Sequence, residues 1–500
     1  MSVERGDRVD VITGVHLTGS DRLDPFGDDL VDVHLRGGTI IDISPVGALG
    51  RRGRVLDGAG MWLIPGLWDH HIHTVQSALS AERADLGPAA SAAEAASIMG
   101  RSPVLAGDRR IGSGFRDAFW PDEPTRELLD AATGDVPTYL INADVHSVWL
   151  NTAALQREGF PLDDSGMLRE EPAFEISRRL NDVDPALADR AVRRTLERAA
   201  SRGVTGIVDL DMAWNAGAWA RRLDAGFDAV RVRFGVYASL LDDAVAAGLA
   251  TGDALDPAGL VRMGSFKAIT DGSLGTRTAA CSHHYPGDPA NFGVLTIPPD
   301  QLVDLMTRAT GAGLSCAIHA IGDVANSHAL DAFARTGATG TIEHAQLVSH
   351  ADIPRFARLG VGASVQPEHA VDDRDLTDTI WADQTAHPYP LRALADSGAN
   401  LLFGSDAPVS PLDPWAAMAA AVHRTRGGRA PWRPDQALDA ATALAASTAG
   451  GSHTGNTLAP GSVADIVLVD RDPLRADDAS LRATIAHATM IAGRLTHLGG

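Results

Sequence analysis

Cysteine is nearly absent: the chain of 500 residues holds two, Cys281 and Cys316. That count excludes a disulfide framework and a cysteine-rich zinc module. Aromatic residues make up 5% of the chain, so Ala and Gly carry much of its apolar share. Positive charge is in deficit, with 43 Lys and Arg against 64 Asp and Glu and a formal net charge of −21. A nucleic-acid binder needs a basic patch to neutralise phosphates, and an anionic membrane surface attracts basic chains, so neither partner is expected. No stretch approaches the roughly 18 uninterrupted apolar residues of a membrane span. The first ten residues carry charges where a secretory signal needs an apolar run. The expected location is the cytoplasm.

What is present is material for a large core. Hydrophobic residues are 45% and charged residues 21%, the balance of a globular chain rather than a disordered one. The length is about three times that of a typical domain, yet one large barrel with insertions can hold most of it. Residues 31–35 and 39–43 read as strands around the Gly37-Gly38 turn. Residues 464–470 read as a strand, and 488–498 as a hairpin turning at Gly493. Chain ends often lie close together, so segments 1–60 and 451–500 are expected to form one small β-sandwich. Within 61–450, short apolar runs at 62–67, 206–210, 230–237, 261–269, 314–318, 341–342, 361–365 and 401–403 alternate with helical segments. That pattern predicts an α/β fold, a parallel (β/α)8 barrel. The stretch from 75 to about 200 is too long for one crossover helix. It is expected to be a lid-like insert after the first barrel strand.

The chemistry concentrates at strand ends. In Pro65-Gly66-Leu67-Trp68-Asp69-His70-His71-Ile72-His73, side chains two apart point to one side, so His71 and His73 can reach one metal ion. Lys267 stands between Phe266 and Ala268-Ile269, where a buried ammonium is costly unless paired or modified. His319 ends one run, His344 follows Thr341-Ile342-Glu343, and Asp406 follows Gly404-Ser405. Any one of these could be an ordinary hydrogen-bonded strand-end residue. Together, at successive strand ends of one barrel, they point to a catalytic face.

These residues and their flanking words resemble the amidohydrolase superfamily of metal-dependent hydrolases. Asp271-Gly272-Ser273-Leu274-Gly275, His319-Ala320-Ile321-Gly322-Asp323, Ile342-Glu343-His344-Ala345-Gln346, Ser364-Val365-Gln366-Pro367 and Gly404-Ser405-Asp406-Ala407-Pro408-Val409 are similar to the amidohydrolase-3 branch, which contains N-substituted formamide deformylase. Asp144-x-His146-Ser147-x-Trp149-x-Asn151 and Gly166-Met167-Leu168-Arg169-Glu170 match that branch as well. The resemblance implies two divalent ions. His71 and His73 would hold the more buried one, His319 and His344 the more exposed one, and a CO2-carboxylated Lys267 would bridge them. Zinc suits such a set. Asp406 would be a metal ligand and the general base, accepting the water proton and passing it to the leaving amine. Asp209 and Asp271 are candidate partners that orient the ligands. His146, Trp149, Gln366 and His369 are candidates for lining the substrate site.

The expected activity is hydrolysis of the C–N bond of a small N-formyl or N-acyl amine. An ester, lactone or carbamate hydrolase could use the same site. A mononuclear deaminase would need Glu where Gly322 stands and would leave Lys267 idle, and a scaffold without activity would not need the full ligand set. The expected partner is a small-molecule amide, and a homodimer stays open. Phe115, Trp120, His146 and Trp149 would give the lid flat apolar surface and few fixed charges, which favours hydrophobic or aromatic amine portions.

Overall fold

The computed structural model describes residues 3–18, 27, 29–105, 108–454 and 458–499; the others lie outside the described residues. Eight parallel strands form the central sheet: β1 (Leu67–Ile72), β2 (Val204–Asp209), β3 (Arg231–Tyr237), β4 (Val261–Ile269), β5 (Ser315–Ala320), β6 (Gly340–His344), β7 (Gly362–Val365) and β8 (Leu401–Phe403). Each pairs in parallel with the next. The segment after β8 returns to the end of β1, where Ile72 bridges Ala407 and the Asp406 amide donates to the His71 carbonyl at 2.7 Å. Gly404 permits this closure, since a Cβ there would come within 2.6 Å of the His71 nitrogen. The fold is a (β/α)8 barrel. Outer helices such as Asp323–Thr336 bury one stripe, while Pro414–His423 is buried on nearly every side. In Asp323–Thr336 the stripe includes Ala325, Ala329, Leu330 and Phe333, which join the main core.

Two boundaries differ from the sequence reading. The first apolar run, 62–67, divides at Gly66. Trp62–Pro65 pairs with Ile466–Val469 and with the end of Val11–Leu17, so it belongs to the terminal sheet. β1 starts only at Leu67 and carries His71 within it. The chain changes sheets where it runs tight against β2: a Cβ on Gly66 would lie 2.3 Å from the Thr205 hydroxyl. The terminal sheet runs Arg494–Leu498, Ala486–Ile491, Ile466–Val469, Trp62–Pro65, Val11–Leu17, Val31–Arg36, Thr39–Pro45, so strands from both chain ends are hydrogen-bonded neighbours. Ile12, Val33, Leu63, Ile466 and Met490 form its own core.

The second difference lies at the end of the insert. Helix Pro185–Ala200 packs on helix Thr74–Ser80, and its Val192, Leu196 and Ala199 join the barrel core. It is the crossover helix between β1 and β2, which a parallel strand pair requires. What remains of the insert is a five-stranded mixed sheet in the order Met167–Arg169, Ser147–Leu150, Thr138–Asn142, Arg110–Phe115, Ala84–Asp85. Helices Ala92–Arg101 and Arg126–Thr133 cover one face of it, and Thr152–Glu158 and Glu171–Asn181 the other. Among the described residues no helix is long and apolar enough to cross a membrane.

Candidate metal centre

The C-terminal ends of the barrel strands converge on one cavity of about 150 Å³. His71, His73, Lys267, His319, His344 and Asp406 all line it. Asp406 Oδ1 lies 3.4 Å from His71 Nε2 and 3.3 Å from His73 Nε2, as the same-side argument for His71 and His73 requires. The His71 and His344 rings are 4.9 Å apart, and those of His344 and His319 4.5 Å. His71, His344 and Asp406 each offer a donor atom, all within 4.8 Å of one another. His344 and Asp406 hold backbone φ of 76° and 55°. Such left-handed geometry costs a non-glycine residue about 1–3 kcal/mol and persists where the surroundings over-determine it.

Lys267 is the anomaly of the floor. It is 1% exposed, and its Nζ has no hydrogen-bond partner among the described residues. Burial pushes its ammonium below the ordinary lysine range, with Glu343 and Asp406 opposing. Burial, with help from Lys267, likewise drives His71 down to about 4, and burial carries His344 well below the usual imidazole range. Neutral imidazoles keep a lone pair for a ligand bond. Burial would raise Asp406, but His71, His73 and His344 outweigh it and hold the carboxyl well below the usual range.

The histidines of the floor, unlike Lys267, have polar neighbours that hold their rings or the chain beside them. Glu343 Oε2 accepts from His71 Nδ1 at 2.6 Å. Burial would raise Glu343, but that bond together with the charges of His71 and Lys267 outweighs it and brings the carboxyl to about 2. Gln366 Oε1 accepts from His344 Nδ1 at 2.9 Å. Asp271 Oδ1 lies 3.4 Å from His319 Nε2, and its carboxylate accepts from the amides of Ala280, Ile321 and Gly322. Asp209 accepts from the Thr74 amide at 3.3 Å and from Trp219 Nε1 at 2.7 Å, which steadies the chain next to His73. Gln366 thus braces a floor histidine and does not line the cavity, unlike His369, which does. Glu343 was in plain view within its motif. Strand alternation would send it to the face opposite His344, but the left-handed turn at His344 brings both to the His71 side.

The roof differs from the expected apolar lid. His146 lines the cavity, 6.3 Å from the His319 ring, with Nδ1 3.0 Å from Glu170 Oε2. Burial would lower His146, but Glu170, joined by the charges of Asp144 and Asp406, outweighs it and raises it. Trp149 does not reach the cavity. It is fully buried with Leu86, Met99, Phe115 and Leu140 in the insert's own core, and Trp120 packs against that core. The upper wall is charged instead. Arg116 meets Asp372 at 3.2 Å, Arg169 meets Asp117 at 3.6 Å, and Asp144 and Asp373 stand beside them. Sequence alternation could have separated His146 from Trp149, since residues three apart fall on opposite faces of a strand. The charged rim had no signal of its own, because its members come from separate loops.

A barrel with this set of histidines, lysine and aspartate at its strand ends defines a class of hydrolases. The family model described as the amidohydrolase family matches residues 54–497, and the chain belongs to that family. It is similar to Protein LONG AFTER FAR-RED 3 of Arabidopsis thaliana, 27% identical, with 97% of this chain and 91% of that protein covered. It is also similar to N-substituted formamide deformylase of Arthrobacter pascens, 25% identical, with 90% and 91% covered. Among solved structures, an uncharacterized metal-dependent hydrolase from Pyrococcus horikoshii OT3 shares a TM-score of 0.78 at 27% identity, covering 94% of this chain and 99% of that one. The chain is a hydrolase of this family.

Proposed function

We propose that the protein hydrolyses the C–N bond of a small N-substituted amide, an N-formyl or N-acyl amine. The observation that carries this reading is Lys267, a buried and unpartnered amine among His71, His319, His344 and Asp406. A free ammonium has no lone pair to offer a metal ion, whereas a carboxylated lysine is an anionic two-oxygen ligand on a long stem. The donor set fits a pair of divalent cations, zinc being well matched to imidazole and carboxylate. His71 and His73 would hold one with Asp406, His319 and His344 the other, and the Lys267 carbamate would touch both. When bound, such ions lower the pKa of a coordinated water towards neutrality and polarise the scissile carbonyl.

The chain's own residues do the rest. Asp406, ionised at neutral pH, accepts the proton of the attacking water. Glu343 and Gln366 hold the rings of His71 and His344 through Nδ1, so their Nε2 atoms are the ones free to act as ligands. The narrow cavity under the insert admits a compact substrate and excludes a polymer. The Arg116, Asp117, Arg169 and Asp373 wall gives the amine portion polar company, so hydrophobicity alone does not select it. Gly322 packs with a notional Cβ 2.0 Å from the Ala280 carbonyl, which leaves no room for the acidic residue a mononuclear deaminase would need. The 25% identity to an N-substituted formamide deformylase favours the amide class.

The test is a substrate panel of formamides, longer acyl amides, esters, lactones and carbamates, run on metal-replete protein. Amides are expected to show the highest kcat/KM. Esters or lactones turning over better, with amides inert, would replace this reading.

A further inference from the structure

We propose that His146, oriented by Glu170, hands a proton to the leaving nitrogen of the scissile bond, so that the insert supplies a catalytic residue as well as a cover. The proposal rests on the amide-hydrolysis reading above. It divides the proton work between two groups, where the family resemblance would have Asp406 do both halves.

His146 is not part of the candidate ligand set. It enters from the insert, at the start of the Ser147–Leu150 strand, and presents its ring to the cavity across from the floor. Its backbone is pinned on both sides: its amide donates to Asp144 Oδ1 at 3.0 Å, and its carbonyl accepts from the Glu170 amide at 2.9 Å. Its ring packs edge-on against Phe174, centroid to centroid 5.0 Å. Glu170 Oε2 faces Nδ1, while Oε1 accepts from the hydroxyls of Thr276 at 2.8 Å and Thr278 at 2.6 Å. Those threonines follow β4, so the barrel fixes the carboxylate that the insert carries. Val145, the residue before His146, and Glu170 itself hold φ of 57° and 54°. Left-handed non-glycine backbone next to the histidine and at its carboxylate partner is strain of the kind stored at functional sites. A carboxylate on Nδ1 fixes the ring and stabilises its cationic form, which leaves Nε2–H as the donor on the ring's opposite edge. A histidine that merely filled the wall would not need a carboxylate held by two further hydroxyls.

The water oxygen adds to the carbonyl carbon, and the water proton passes to Asp406. As the C–N bond breaks, its electron pair stays on nitrogen, which takes the proton from His146 Nε2. Acid and amine depart, and the proton on Asp406 restores His146 directly or through solvent.

The experiment measures kcat/KM of metal-replete wild type, His146→Gln and Glu170→Gln on para-substituted formanilides and on matching aryl formates, with metal content and thermal stability recorded for each protein. Loss of a positioned proton donor costs roughly 10²–10⁴-fold on the most basic leaving amine. The loss should shrink steadily towards the p-nitroanilide, whose nitrogen departs with less help. Glu170→Gln should steepen the same dependence by a smaller amount, and it decides the matter if His146→Gln does not fold. A loss shared evenly along the series, or none in either variant, overturns the assignment. If wild type cleaves the formates and not the anilides, the amide reading falls, and the slopes across the formates still decide the role of His146.

Discussion

The floor and the roof of the cavity are built on different terms. The polar groups of the floor stand at or just past the ends of barrel strands, nearly all of them buried, and all but the unpartnered Lys267 amine have a polar neighbour close by. Glu343 braces His71, Gln366 braces His344, and Asp271 lies beside His319. The roof is made of loops and an inserted sheet, and its arginines are about half exposed: the side chains of Arg116 and Arg169 keep 47% and 48% of their accessibility. Exposed ion pairs are worth about 0–1 kcal/mol and can exchange partners. The floor is therefore the rigid half, where atoms must be placed within tenths of an ångström, and the roof is the adaptable half that meets the rest of the substrate. His146 is the exception. It is a roof residue held with the tightness of the floor.

The largest effect should come from the floor. Asp406→Asn is expected to lower kcat by roughly 10²–10⁴-fold, because the amide cannot take a water proton at neutral pH. Steady-state kinetics together with metal analysis check this. A variant that retains its metal and near-normal turnover would move the general base elsewhere. In the roof, Trp149→Ala should act on stability and leave chemistry alone. Removing a fully buried indole from the core of the insert costs about 3–5 kcal/mol, read as a fall in Tm or denaturation midpoint. The kcat/KM of the folded fraction should stay near wild type. A rise in KM without loss of stability would return Trp149 to the substrate site.

Two smaller effects sharpen the contrast. Glu343→Gln keeps the shape of the side chain and removes the charge that holds His71. It should weaken metal binding by roughly 10–100-fold, the usual cost of losing a ligand's hydrogen-bond partner, as measured by chelator competition. Arg169→Ala, on the adaptable side, should raise KM within about tenfold and leave kcat nearly unchanged, since it removes binding common to ground and transition states. A kcat effect as large as that of Asp406→Asn would erase the distinction between the two halves.

The same distinction decides what could be read without a structure. The floor was legible because strands impose a period of two and end in polar residues, and because a lysine inside Phe266–Ala268 is out of place in a buried strand. The barrel and the pairing of the chain ends followed from short apolar runs and turns. Where a local backbone event broke the period, the reading failed. Gly66 moves the chain between sheets and divides one apolar run into two strands. His344, at φ 76°, brings Glu343 and His344 to the same side. Pro185–Ala200 looked like insert because sequence distance hides which core a helix packs on. The charged rim was invisible because Arg116, Arg169, Asp372 and Asp373 meet only in three dimensions. Trp149 looked like a binding residue by its chemical type, and its position in the strand turns it to the core.

The proposed function depends on Lys267, which as an anionic bridge would let the floor hold a pair of divalent ions. Elemental analysis of protein purified without chelator, with bicarbonate present, tests it most directly, run in parallel on wild type, Lys267→Ala and Lys267→Arg. The account predicts about two ions per chain in wild type, because the ligand set is too large for one tetrahedral zinc. It predicts a clear loss in both variants, with partial recovery of Lys267→Ala on adding a short carboxylic acid together with metal. One ion or fewer in supplemented wild type, or a metal-replete and active Lys267→Arg, would contradict it.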